Sequence, residues 1–246
     1  MCPTYSEERR GDRYKTGSPF GHVDAIEIWN EPNLSAAWGG TISQQTAAEY
    51  VQMLSLSYAA VKSVDPNIMV VSAGLSPTGA YDGSAAPDDQ LLQWMYSDGL
   101  SRHYDILGLN ANPQVADPTA APGSVPGFAD GSFYFLPVEQ LRAIEEANGD
   151  FNPVWLMEYG WTSDPVHSDR SWYAVSEAQK STNILAAMRY ARANWQWLGV
   201  MTLLGMPDPN WTPDREEYWW MVSNPDGTAR PALNDLITAA QLGTLP

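Results

Sequence analysis

Apolar residues in this chain follow two alternating patterns. Short runs rich in Val, Ile and Leu read as strands at residues 25–29, 68–71, 106–109, 154–157 and 199–204. Between and after them, apolar positions three and four apart predict helices at 46–64, 88–96, 138–147, 176–194 and 231–240. In the first helix Ala47, Tyr50, Val51, Leu54, Tyr58 and Val61 share one face. Thr46 with Glu49 reads as a capping box at its start, and Ser176 with Gln179 as another at the start of the fourth. Asp65-Pro66-Asn67 stops the first helix and Gly149 the third. Residues 112–131, dense in Pro, Gly and Ala, read as a long loop.

Strict alternation of strands and helices predicts an α/β fold, a parallel sheet covered by helices. A doubly wound open sheet and a (β/α)8 TIM-barrel type both satisfy it. The open sheet usually carries a glycine-rich phosphate loop after a strand, and no such motif occurs here. Instead Glu31 stands just past the first strand and Glu158 at the end of the fourth. Barrel enzymes build their sites at those strand ends, so the barrel is the expected architecture. Residues 1–246 read as a single domain.

Charge narrows the partners. Lys and Arg total 13 against 29 Asp and Glu, a formal charge of −16. That field repels phosphate backbones and anionic lipid, so neither nucleic acid nor a membrane surface is an expected partner. Cys2 is the only cysteine, and His22, His103 and His167 lie far apart. No intrachain disulfide, metal site or cofactor is expected. The opening residues are polar, without the apolar core of a signal peptide, and the longest near-apolar run, 198–206, is too short to span a bilayer.

The aromatic load is high, with 11 Trp, 12 Tyr and 5 Phe. Such rings fill cores, or they line clefts for ligands with flat C–H faces and hydroxyl rims, as sugars have. Two stretches combine aromatics with a carboxylate. In Trp29-Asn30-Glu31-Pro32-Asn33, the proline fixes its own φ and restricts the glutamate before it. In Trp155-Leu156-Met157-Glu158-Tyr159-Gly160-Trp161, Glu158 sits among apolar neighbours and needs a partner or a shifted pKa. Each stretch alone also fits a structural turn or a core ion pair. Together they supply the two carboxyl groups that glycoside hydrolysis requires. Gly74-Leu75-Ser76-Pro77-Thr78 lacks the second glycine of a serine-nucleophile elbow, which disfavours an esterase.

These paired motifs resemble the clan of (β/α)8-barrel glycoside hydrolases whose catalytic glutamates end strands four and seven. Finer features resemble a bacterial family-39-like branch: Ser18-Pro19-Phe20-Gly21, Asp164-Pro165-Val166-His167, Asp208-Pro209-Asn210-Trp211, and Tyr218-Trp219-Trp220 leading to Asn224-Pro225-Asp226-Gly227. The resemblance covers the chain from about Tyr14 onward. It implies a retaining hydrolase of oligo- or polysaccharides with Glu31 as acid/base, its pKa raised by the nearby charge of Glu158, and Glu158 as nucleophile. Asn30 is implied on the sugar 2-hydroxyl, Trp161, Trp211 and Trp219 as sugar platforms, and Tyr159 as an orienting group. No cofactor is implied. Departures are Asn110-Ala111-Asn112 where many relatives carry His-x-Tyr, and Leu204-Gly205-Met206 where many place a Trp. Because the Asn-Glu motif lies on the first strand here, the resemblance implies an incomplete barrel of strands four to eight, truncated at its N-terminal side. Open sheet edges then imply self-association. The alternative is a non-catalytic carbohydrate-binding or scaffold fragment of such a barrel.

Overall fold

A computed structural model describes residues 23–245. Cys2, His22 and the Ser18–Gly21 motif lie outside the described residues. The elements run β1 (Ala25–Ile28), α1 (Ser35–Trp38), α2 (Gln44–Val64), β2 (Met69–Ser72), α3 (Asp88–Ser97), β3 (Leu107–Ala111), α4 (Val138–Ala147), β4 (Val154–Tyr159), α5 (Glu177–Asn194), β5 (Leu198–Leu203) and α6 (Pro231–Gln241). A 3₁₀ turn, Glu216–Trp219, precedes the last helix.

All strand pairings are parallel and follow chain order. β1 pairs with β2, β3 with β4 and β4 with β5. β2 and β3 meet through a Val71–Ile106 bridge, and the Ser72 amide donates to the Ile106 carbonyl at 3.0 Å. Gly108 makes that approach possible, since a Cβ there would sit 2.0 Å from the Ser72 carbonyl oxygen. β1 and β5 are the edges among the described residues.

Burial follows that order. Every residue of β3 is buried, every residue of β1 is half-buried, and β5 exposes Gly199, Val200 and Thr202. The core lies between sheet and helices, where Leu54, Leu91, Met95, Leu141 and Ile184 meet Val70, Leu107, Leu109, Val154 and Leu156. Each fully buried aliphatic side chain contributes about 1.5–3 kcal/mol relative to exposure.

The predicted elements form with small shifts in their ends. One cap differs. α2 starts two residues earlier than the apolar pattern predicts, because the Ser43 amide donates to Thr46 Oγ1 at 3.1 Å. Glu49 takes no part in that cap and accepts instead from Gln45 Nε2. At Ser176 half of the predicted box forms: its hydroxyl accepts from the Gln179 amide at 3.1 Å, but Gln179 Nε2 donates to Asn183 Oδ1 at 2.7 Å rather than closing back on the cap. The long loop after β3 has no regular element but is anchored. Tyr134 Oη accepts from the Val125 amide and donates to the Phe128 carbonyl, and Trp161 Nε1 donates to Ala116 at 3.1 Å. No helix among the described residues is long and apolar enough to cross a membrane.

Candidate active site

Glu31 lies three residues past β1 in a strained backbone. Its φ is 49° and that of Trp29 is 72°, both in the left-handed region that costs about 1–2 kcal/mol for a side-chain-bearing residue. Pro32 therefore does not hold Glu31 extended, as the sequence suggests. Tertiary hydrogen bonds hold it instead: the Glu31 amide donates to the Gly74 carbonyl at 2.9 Å, and its carbonyl accepts from Leu34 at 3.0 Å. Asn33 fixes the rest of the turn. It is fully buried and donates to the Ser76 and Ala86 carbonyls while accepting from the Ser76 amide. Burial also makes the Asn33-Leu34-Ser35 sequon structural.

Glu158 arrives from β4 through a register shift. Leu109 pairs with Leu156 but Asn110 pairs with Glu158, so Met157 is skipped and the glutamate is re-aimed beside Asn110. A chain of side chains then joins the two carboxylates. Asn110 Nδ2 donates to Glu31 Oε1 at 3.2 Å and to Asn30 Oδ1 at 3.3 Å. Asn30 Nδ2 donates to Glu158 Oε1 at 3.1 Å. Asn110 is buried, and its own Oδ1 has no hydrogen-bond partner. It fits against Gly74, where a Cβ would lie 2.1 Å from that oxygen.

The electrostatics are those of crowded carboxylates. Burial pushes the Glu158 carboxyl up to about 7, with the charge of Glu31 adding and the Asn30 hydrogen bond opposing. The sequence predicts this mutual repulsion at Glu31; at Glu158 it adds to a larger push from burial. Glu27 on β1, four residues before Glu31, is also raised by burial, although it accepts from the Gly74 amide at 3.0 Å.

Both glutamates line one cleft of about 380 Å³. Asn112, Gln114 and Phe133 contribute to its lining from the loop after β3. Further lining comes from Arg170, Tyr173, Glu216 and Trp220. Glu216 accepts from Arg170 Nε at 3.0 Å and from Trp220 Nε1 at 2.5 Å. His167 ties these loops together, bonding Asp164 Oδ2 at 2.7 Å and the Asp214 carbonyl at 2.9 Å. Among the described residues, no group of three or more His, Cys, Asp or Glu could hold a metal ion.

The remaining predicted residues sit elsewhere. Trp161 is fully buried in the core, its indole spent on the Ala116 carbonyl. Tyr159 is buried in the core as well, and burial raises its phenol. Trp211 lines a second cleft with Pro209, Tyr218 and Asn224. Trp219 is half-buried and donates to the Pro213 carbonyl at 3.0 Å. The tryptophan that reaches the glutamates' cleft is Trp220, next in sequence to the one predicted. Its position depends on the 3₁₀ turn, which no periodicity announces.

Solved structures share this arrangement of strands and helices. A GH128 endo-β-1,3-glucanase from Sorangium cellulosum superposes with a TM-score of 0.56 at 15% identity, over 89% of this chain and 70% of that one. A family 39 glycoside hydrolase from Bacteroides cellulosilyticus gives 0.57 at 21%, over 89% and 40%. A β-1,3-glucanosyltransferase from Rhizomucor miehei, in complex with laminaritriose, gives 0.52 at 13%, over 88% and 65%. The fold is the one these three carbohydrate-active enzymes share. At these identities the likeness is one of fold alone, and it does not single out one branch. The chain spans 40% to 70% of the lengths of these three proteins. No protein-family model and no curated protein matches it.

Proposed function

We propose that the chain is the catalytic part of a retaining glycoside hydrolase of the family-39-like type, with Glu31 as acid/base and Glu158 as nucleophile. The observation that carries this reading is the continuous side-chain path Glu31–Asn110–Asn30–Glu158 at the ends of three parallel strands. A retaining pair stands ~5–5.5 Å apart, against ~6.5–9.5 Å for an inverting pair, and the shorter spacing is the one proposed. Glu158 attacks the anomeric carbon while Glu31 protonates the leaving oxygen. Glu31 then takes a proton from water, which displaces the sugar from Glu158. Asn30 bonds the 2-hydroxyl as charge develops on the ring. Glu158 must be ionised to attack, so kcat/KM should rise as pH passes through about 7.

The five strands are proposed to be strands four to eight of a barrel. Among the described residues β1 and β5 are the sheet's edges, which supports this, as does a groove of about 370 Å³ along β5, lined by Met188, Ala191, Arg192, Gln196, Leu198 and Met201. Such edges favour self-association, which sedimentation velocity would reveal. Trapping with a 2-fluoro glycoside tests the chemistry. A glycosyl adduct on Glu158 supports the reading, and Glu31→Gln should spare substrates with activated leaving groups. Sugar binding without an adduct would instead support a non-catalytic carbohydrate-binding fragment, the reading favoured by a Glu158 still partly protonated at neutral pH.

A further inference from the structure

The loop after β3 contributes an aromatic ring and two amides to the cleft. Asn112 and Gln114 line it with Phe133, and all three are half-buried. Asn112 Oδ1 is shielded from solvent with no hydrogen-bond partner. A buried amide oxygen left unbonded costs about 1–3 kcal/mol, so it is an anomaly unless something fills the cleft and donates to it. Gln114 holds the loop through its backbone, its amide donating to the Phe133 carbonyl at 3.3 Å. The loop itself is fastened, by Trp161 to Ala116 and by Tyr134 to Val125 and Phe128, so the wall is preformed.

We propose that Asn112, Gln114 and Phe133 form a subsite for a neutral sugar bearing a vicinal diol. This rests on the glycosidase reading for its location, and names the substrate class. A primary amide accepts from one hydroxyl and donates to the next, which a pair of adjacent sugar hydroxyls matches. Phe133 offers an apolar face to the C–H side of the ring. Charge selects against acidic sugars. Glu31, Glu158 and Glu216 all line the cleft, and the one cation among its described lining residues, Arg170, is already bound to Glu216 at 3.0 Å and lies 3.4 Å from Asp169. A uronic acid carboxylate would meet three carboxyl groups and a cation already engaged.

The test uses saturation-transfer and ¹H–¹⁵N NMR on the full chain with laminaritriose, cellotriose, xylotriose and trigalacturonate at millimolar concentration. At least one neutral trisaccharide should bind and shift the side-chain amide signals of Asn112 and Gln114. Asn112→Ala and Gln114→Ala should each weaken that binding about three- to tenfold, the value of one neutral hydrogen bond. The wild-type shifts need no variant, so a variant that fails to fold does not blunt the test. The inference is overturned if no neutral trisaccharide binds, if trigalacturonate binds more tightly than all three, or if binding leaves both amides unmoved. Neutral sugar that moves the amides while the 2-fluoro glycoside leaves Glu158 unlabelled would sink the hydrolase reading and keep the subsite.

Discussion

Asn110 Nδ2 lies 3.2 Å from Glu31 Oε1, which makes a neutral amide on β3 the contact that ties the two candidate carboxylates into one path. Asn110→Ala removes the link to Glu31 and to Asn30 at once. A hydrogen bond to a charged group is worth about 1.5–3 kcal/mol, so kcat/KM should fall roughly 10- to 100-fold with the fold intact by circular dichroism. Asn110→Asp should be worse, since it adds a carboxylate beside Glu31. Wild-type rates in Asn110→Ala would show that the path is incidental.

Gly74 tests the same relationship from the other side. A Cβ there would stand 2.1 Å from Asn110 Oδ1 and 2.8 Å from its Cγ. Gly74→Ala should therefore displace the amide and cost about 1–3 kcal/mol of stability, read from urea denaturation. In Gly74→Ala/Asn110→Ala the clash is gone. The double variant should be no less stable than Gly74→Ala alone; strict additivity would contradict the packing argument.

A buried cation acts on the loop that carries Trp220. Lys180 is fully buried and donates to the Trp219 and Met221 carbonyls, at 2.8 Å each. Burial pushes its ammonium down to about 8. Lys180→Met removes the shortest donor to each carbonyl, leaving Trp219 to Ser163 and Met221 to Arg230 Nη1 at 3.4 Å, and should destabilise the chain by about 1–3 kcal/mol, with Trp fluorescence changing before global unfolding.

Stability should decline across neutral pH. Burial raises Asp88, Glu145 and Glu158 each to about 7, so their folded forms resist ionisation more than the unfolded chain does. Stability that is full below about 4.5 is lost as pH rises through 7. His167 acts in the same direction. Its bonds to Asp214 and Asp164 raise its pKa, so its contribution is present below the ordinary histidine value and lost above the raised one. The exposed Asp82 and Asp226 and the half-buried Glu217 are lowered and weaken the fold only below their usual range. Tm should thus be higher at pH 5 than at 7.5, and Glu158→Gln should flatten part of the decline. A Tm that climbs between those pH values would contradict these assignments.

The sheet and its helices were legible because five apolar runs alternate with 3.6-residue periods, a signal that Leu54 or Leu91 carries whatever its neighbours do. The glutamates were legible because strand ends are where a parallel sheet presents polar groups. The wiring between them was not. Asn110 departs from the resembled pattern, and its role rests on a register shift and on a glycine 36 positions away, neither of which leaves a periodic trace. Trp161 lies in the core and Trp220 at the cleft for a similar reason. Which indole reaches the cleft is decided by loop anchoring at Ala116 and by a 3₁₀ turn, not by spacing.

Because every strand pairs with its neighbour in sequence, each new strand–helix unit can dock on an edge already laid down as the chain leaves the ribosome. Strand pairs join residues 35 to 48 apart, a shorter reach than the site requires. The glutamate path does not share that locality. Asn30 waits 80 residues for Asn110 and 128 for Glu158, so the path is complete only when the fourth strand is made. Scaffold formation and site formation are therefore separate events in time, and a pause in synthesis after β3 would leave a folded sheet that holds one carboxylate and an amide without its partner.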